Sequence, residues 1–308
     1  MNPKTKISDS LHGHGQLGRG YHDFLQTMQP VKKWGDVGTL AEPIPAKAEY
    51  PVDWELIRRW AASCPSLAGL MESVQDFDLI APRLGWNYAW TRFPQHLYLL
   101  NAIEELVITE AFKPTIIIEP GCFTGGLLHY LADYWGTVPC VGFDISPVAL
   151  DVCSHYSDRL EGSNSPLWLE ADFSQVRPGD LPSQLGEHID GGLVILSNVF
   201  ESLGKSFARY PYLDQWAAKS RLISYWVNNG ASVLLCERHT DPDNLMDTIV
   251  RRAEWLQPNC KASVRCRFTV PTTVNMLPEN PLGDWEVVEG CVIRFSPPKK
   301  SEPKKKNF

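Results

Sequence analysis

The chain contains no long apolar run. No segment reaches the roughly 18 consecutive apolar residues of a membrane span, and the polar start, Met1 to Gly20, lacks the apolar stretch of a signal peptide. Both absences argue against membrane partners and make a cytoplasmic protein the expectation. No Cys-x-x-Cys pair occurs among the eight cysteines, at 64, 122, 140, 153, 236, 260, 266 and 291. Neither a zinc ribbon nor a dithiol redox motif is therefore written here, and the thiols are expected to be reduced, buried small hydrophobes. No Asp/Asn/Glu set is spaced like a metal site. His12 and His14 stand among flexible glycines and supply too few ligands, so no metal is expected. No internal repeat is found either. What remains is an ordinary globular composition, 44% hydrophobic and 21% charged over 308 residues, long enough for one large domain with additions or two modest ones.

Basic charge is scarce except at one end. The formal charge is −7, yet residues 297–308 hold five lysines against Glu302, a net +4, which leaves the rest of the chain at −11. So acidic a body is a poor partner for phosphate backbones, and this argues against nucleic acid as the target. The Pro/Lys tail reads as a solvated, disordered terminus.

Residues 1–50, with glycines at 13, 15, 18 and 20 and prolines at 30, 43 and 45, show no sustained period and read as an irregular arm, some of it packed on the body. From Pro51 a helical pattern begins with Trp54, Ile57, Trp60 and Ala61, so residues 51–94 are read as a helical cap. A further helix is expected with Pro94 in its first turn, its stripe formed by Leu99, Ile103, Leu106 and Val107. After Pro114 short apolar runs alternate with helical segments, the pattern of repeated βαβ units. Strands are predicted at 115–119, 140–144, 167–171, 193–197 and 231–237. Helices are expected to open at Ser146-Pro147 and Asp241-Pro242, and one from about Pro211 to Asn229 to stop at Gly230. Strands at 263–270 and 288–296 follow each other without a long helix between them, which predicts an antiparallel pair at the sheet edge. The fold class expected is α/β, a Rossmann-like doubly wound sheet over 95–296.

The first of these strands runs into Glu119-Pro120-Gly121-Cys122-Phe123-Thr124-Gly125-Gly126, and a helix with Leu127, Leu128, Leu131 and Trp135 follows. A strand, a glycine-rich turn and a helix N-terminus form a place where a ligand can approach the backbone, beyond the carboxyl ends of the strands. The later strands also end in polar residues suited to a nucleoside: Asp144, then Asp172-Phe173, then Ser197-Asn198. A nicotinamide-binding fingerprint would need Gly-x-Gly-x-x-Gly and an acid about 20 residues on, and Gly121-x-Phe123 breaks it.

Over roughly residues 95–296 the sequence resembles the class I S-adenosylmethionine-dependent methyltransferase family. Glu119, Gly121 and Gly125 fall on the acidic, first-glycine and third-glycine positions of its first motif, and Phe123 replaces the middle glycine. The run Ile195 to Leu203 resembles the family's fourth motif. The resemblance implies S-adenosylmethionine as cofactor, with Glu119 holding the methionine amino group, Asp144 the ribose hydroxyls, and Asp172 with Phe173 the adenine. Cys122, Ile145 and Asn198 are added to the cofactor-binding candidates. Phe123 in the glycine position implies a local difference in the turn.

Methyl transfer from a sulfonium needs positioning more than acid catalysis. A protic acceptor still requires a group to take its proton, and Glu201 and His239, just past the fourth and fifth strands, are the catalytic candidates. Tyr88, Arg92 and His96, in an aromatic cluster before the first strand, and Tyr210 and Tyr212, after the fourth, are candidates for the acceptor pocket. Asn198 is followed by Val199-Phe200-Glu201 rather than the Pro-Pro-Tyr of base-amine methyltransferases, which with the acidic body favours a small polar or aromatic acceptor. The alternatives are a peptide, protein or nucleic-acid methyltransferase recruited through the tail, a non-catalytic cofactor-binding partner subunit, and, further off, an NAD(P) oxidoreductase.

Overall fold

The computed structural model describes residues 15–27, 87–158, 164–171, 189–199, 223–239, 261–274 and 284–297. Their order is α1 (Gln16–Thr27), α2 (Asn87–Glu110), β1 (Ile117–Pro120), α3 (Gly126–Trp135), β2 (Cys140–Asp144), α4 (Pro147–Ser157), β3 (Leu167–Glu170), β4 (Leu193–Ser197), β5 (Ser232–His239), β6 (Lys261–Val274) and β7 (Asp284–Ser296). The strands form one seven-stranded sheet in the order β3-β2-β1-β4-β5-β7-β6. The first five are parallel to one another, and β7 runs antiparallel to both β5 and β6. This is the doubly wound sheet with an antiparallel edge pair that the sequence pattern predicts.

The central strands are apolar on both faces, as strands covered on both sides must be. In β4, Leu193 and Ile195 enter the core that faces α1 to α4, whereas Val194 and Leu196 enter the opposite core with Ile223, Trp226 and Val227. At roughly 25 cal/mol per Å2 of apolar surface removed from water, these two cores dominate the stabilisation. Among the described cysteines all six are free and five are buried, as expected of small hydrophobes. No helix among the described residues is long and apolar enough to cross a membrane.

Local signals set several boundaries. Ser146 caps α4 by accepting a hydrogen bond from the Ala149 N–H, and Pro147 fills the first helical position where its missing N–H costs nothing. The helical residues 223–228 end in a turn at Gly230, whose φ of 88° is accessible to glycine without strain.

Two expectations need correction. Within the arm read as irregular, residues 16–27 form a helix whose Leu17, Tyr21 and Leu25 are buried against α2 and α3. Its glycines are not breakers. A Cβ on Gly20 would collide with the Tyr130 hydroxyl, which itself donates to the Leu17 carbonyl at 2.8 Å, so the small residue permits a close helix crossing. The helix expected to start near Pro94 begins at Asn87 and carries the proline inside it. Proline's fixed φ is already helical, and the missing hydrogen bond is offset by the buried stretch from Gln95 to Leu106 that packs on the sheet. Residues 51–86 of the expected cap, the helix expected at Asp241-Pro242 and the tail lie outside the described residues.

Candidate cofactor-binding site

In a sheet of this order the strand order reverses between the parallel neighbours β1 and β4, and the region beyond their carboxyl ends is where such sheets hold ligands. The glycine-rich turn leaves β1 there, and Ser197-Asn198 leaves β4 beside it.

The turn is built from alternate left-handed residues. Gly121 has φ 71°, Phe123 φ 48° and Gly125 φ 69°. Phe123 thus keeps the conformation that a glycine would take at the middle position, and the local difference implied by the replacement does not extend to the sign of φ. Asp144 holds it there: its Oδ2 accepts the Phe123 N–H at 2.7 Å, and its Oδ1 accepts the Ser146 N–H at 3.0 Å. The phenyl ring lies in the core below. Gly121 and Cys122 both donate to the Phe143 carbonyl, at 2.7 and 3.0 Å, which ties the turn to the end of β2.

Glu119 points into this region from the end of β1. It is buried, and its Oε2 has no hydrogen-bond partner among the described residues. Burial, then the nearby Asp144 charge, push its pKa up to about 8, against a backbone hydrogen bond from Leu128 that favours the charged form. An orphaned buried carboxylate oxygen beside a second carboxylate is costly by itself and favours a cationic ligand. Asp144 is also buried. Ile145, next to it, is one of the few large hydrophobic side chains left exposed among the described residues, at 37%.

Beneath the turn, a Cβ on Gly125 or on Gly142 would strike the Trp168 ring, so both glycines are required by the indole of β3. Cys122 and Cys153 are buried in the same layer, and Cys153 donates to the Phe123 carbonyl at 3.1 Å. Burial pushes both thiols up, which makes them packing groups rather than nucleophiles.

On the β4 side a polar network closes the crevice. Asn198, itself at φ 53°, donates from Nδ2 to Gln95 Oε1 at 2.9 Å, and Gln95 Nε2 donates to Ser197 Oγ at 2.9 Å. Ser197 Oγ lies 3.3 Å from His96 Nε2, and His96 Nδ1 lies 3.3 Å from the Tyr21 hydroxyl. Gln95 and Tyr21 were not singled out by sequence reasoning. Tyr21 had a signal, since Leu17, Tyr21, Phe24 and Leu25 have helical spacing.

The structure therefore places Glu119, Gly121, Cys122, Gly125, Asp144, Ile145 and Asn198 at or just beyond the carboxyl ends of β1, β2 and β4, with His96 of α2 against Ser197. Arg92 is half-buried one turn before His96 on α2, and position 88 is one turn earlier on the same face. His239 is the last residue of β5, in register with Glu289. Asp172, Phe173, Glu201, Tyr210 and Tyr212 lie outside the described residues. Among the described residues no group of three or more His, Cys, Asp and Glu could hold a metal ion.

No family model matches the chain, and no curated protein does. Several solved structures are similar to it. Magnesium protoporphyrin IX methyltransferase from Synechocystis PCC 6803, solved with S-adenosylmethionine bound, is 14% identical, with 80% of this chain and 97% of that one covered at a TM-score of 0.42. Precorrin-6y C5,15-methyltransferase from Geobacter metallireducens GS-15 is 12% identical, with 64% and 87% covered at 0.38. The YcgJ protein of Bacillus subtilis is 10% identical, with 63% and 97% covered at 0.42. At these identities no residue role or substrate passes from those proteins to this chain.

Proposed function

We propose that the chain is an S-adenosylmethionine-dependent methyltransferase that methylates an O or N atom of a small polar or aromatic molecule. The observation that carries this reading is the orphaned, buried Oε2 of Glu119 beside a turn with three consecutive alternate residues at positive φ. The residues present fit such a cofactor. Gly121 and Gly125 leave room for a ligand to lie against the backbone, Glu119 supplies an acceptor for an ammonium, and the Asp144 carboxylate is an acceptor of the kind that suits ribose hydroxyls. Ile145 offers an apolar surface for a base. When bound, the cofactor supplies an activated sulfonium methyl whose departing thioether needs no proton.

The chain's contribution is then orientation and exclusion of water. The β1 and β2 ends would fix the cofactor, while α2, with Arg92 and His96, and the end of β4 form the wall on which an acceptor would be held. The acceptor's proton would pass to a group on that wall or to Glu201 or His239. The −11 charge of the chain outside its last twelve residues supports a small acceptor over a polynucleotide.

Calorimetric titration of the full chain with S-adenosylmethionine, S-adenosylhomocysteine and NADPH tests the reading. Binding of the first two, weakened at least tenfold in Asp144→Asn with the fold retained, is the expected result. A response to NADPH alone, or to none of the three, would overturn it.

A further inference from the structure

Alternation along β4 turns Ser197 toward α2. Leu193 and Ile195 enter the core that α2 covers, so Ser197, two residues on, faces the same helix. β1 and β4 pair in parallel with Ile118 opposite Val194, and continuing that register sets Ser197 level with Gly121, where the glycine-rich turn begins. Whatever fixes the end of β4 therefore acts beside that turn.

The group that meets the strand end is Gln95 of α2, which is 2% exposed. Its Nε2 donates to Ser197 Oγ at 2.9 Å and its Oε1 accepts from Asn198 Nδ2 at 2.9 Å, so one amide spans two consecutive residues. Its backbone carbonyl accepts from the Cys236 thiol at 3.9 Å, and Cys236 is the β5 residue in register with Ser197. The Asn198 N–H donates to the Cys236 carbonyl at 2.9 Å. A buried amide carries a desolvation cost that an apolar side chain of the same length would not, and the cost is offset here because both of its ends are bonded. The residue it holds is in an uncommon state, since Asn198 has φ 53°. A non-glycine residue keeps such a conformation where its surroundings fix it. We infer that Gln95 is a positioning residue of the cofactor site, holding Asn198 in its left-handed conformation so that the chain leaving β4 is already ordered beside the turn when the cofactor arrives. This rests on the proposed cofactor reading. Gln95 acts through Asn198 rather than by touching the ligand. Without it, binding would have to order this segment, and affinity would fall by that cost.

The test is calorimetric titration of the full chain with S-adenosylhomocysteine, with melting temperatures measured alongside, for the wild type, Gln95→Met, Asn198→Gly and the double variant. Methionine keeps the length of the side chain and removes both amide bonds, and glycine accepts the left-handed φ while removing the Asn198 amide. Expected are folded single variants that each bind about tenfold more weakly. The double variant should bind within about twofold of Asn198→Gly, because the Gln95 effect disappears once its target is gone. A Gln95→Met that melts lower yet binds with wild-type affinity would show an amide of structural value only and would overturn the inference. Losses that multiply to about a hundredfold in the double variant would overturn it as well, since the two residues would then act independently. Should Gln95→Met fail to fold, Ser197→Ala, which removes the other anchor of the same amide, takes its place in the cycle with the same two readings. A wild type that does not bind S-adenosylhomocysteine overturns the cofactor reading itself, whereas a wild type that binds beside an unaffected Gln95→Met overturns this inference alone.

Discussion

At the scale of single residues, Phe123 sets two costs against each other. A left-handed conformation costs a non-glycine residue roughly 1–2 kcal/mol, and glycine would remove that strain. Removing a buried phenyl ring costs about 3–5 kcal/mol. The ring should win, so Phe123→Gly is expected to destabilise the protein by about 1–4 kcal/mol in urea denaturation despite placing a glycine in the turn. Glu119 carries a different cost. Its pKa is raised from 4.5 to about 8, so between those values the folded chain binds a proton that the unfolded chain does not. Stability must then fall as pH rises through that window. Glu119→Gln removes the penalty, and its melting temperature should draw ahead of the wild type from pH 5 to pH 9. Parallel curves would show that burial does not perturb this carboxyl.

At the scale of elements, α1 is fastened by partners distant in sequence. The Glu104 carboxylate accepts the Gln16 N–H at 2.9 Å and the Leu17 N–H at 3.3 Å, and Asn101 Oδ1 accepts the Gly15 N–H at 3.1 Å. A carboxylate at a helix N-terminus satisfies free N–H groups and opposes the positive end of the helix dipole. Glu104→Ala is expected to cost about 1 kcal/mol and to raise hydrogen exchange in 16–27 before that of the sheet. The sequence did not disclose this cap, because it joins residues 88 positions apart and the nearby glycines imitate a loop. At the opposite edge, Arg294 of β7 is paired with Glu110 at the end of α2, and Arg265 of β6 with Glu105. These pairs fasten the antiparallel edge to the helix, although at half-exposed carboxylates each contributes little by itself.

At the scale of the whole molecule, the sheet order places the end of β1 next to the end of β4. That order made the site legible in part. Strand texture, the glycine turn and the polar strand ends are local patterns, so Glu119, Gly121, Gly125, Asp144 and Asn198 could be located from the chain alone. The closing wall is not local. Gln95 and Tyr21 reach Ser197 and His96 only because α1 and α2 cross the same crevice, and no periodicity encodes that crossing. Pro94 likewise marked a helix start by local rule, whereas tertiary packing carried the helix through it.

The central claim is that the turn from Gly121 to Gly125, between Glu119 and Asp144, holds S-adenosylmethionine. The most direct test is a crystal structure of the full chain grown with S-adenosylhomocysteine. The account predicts the ligand lying along this turn, its amino group within hydrogen-bond distance of Glu119 and its ribose hydroxyls at Asp144. Ligand density elsewhere, or a different nucleotide bound across the turn, would contradict it.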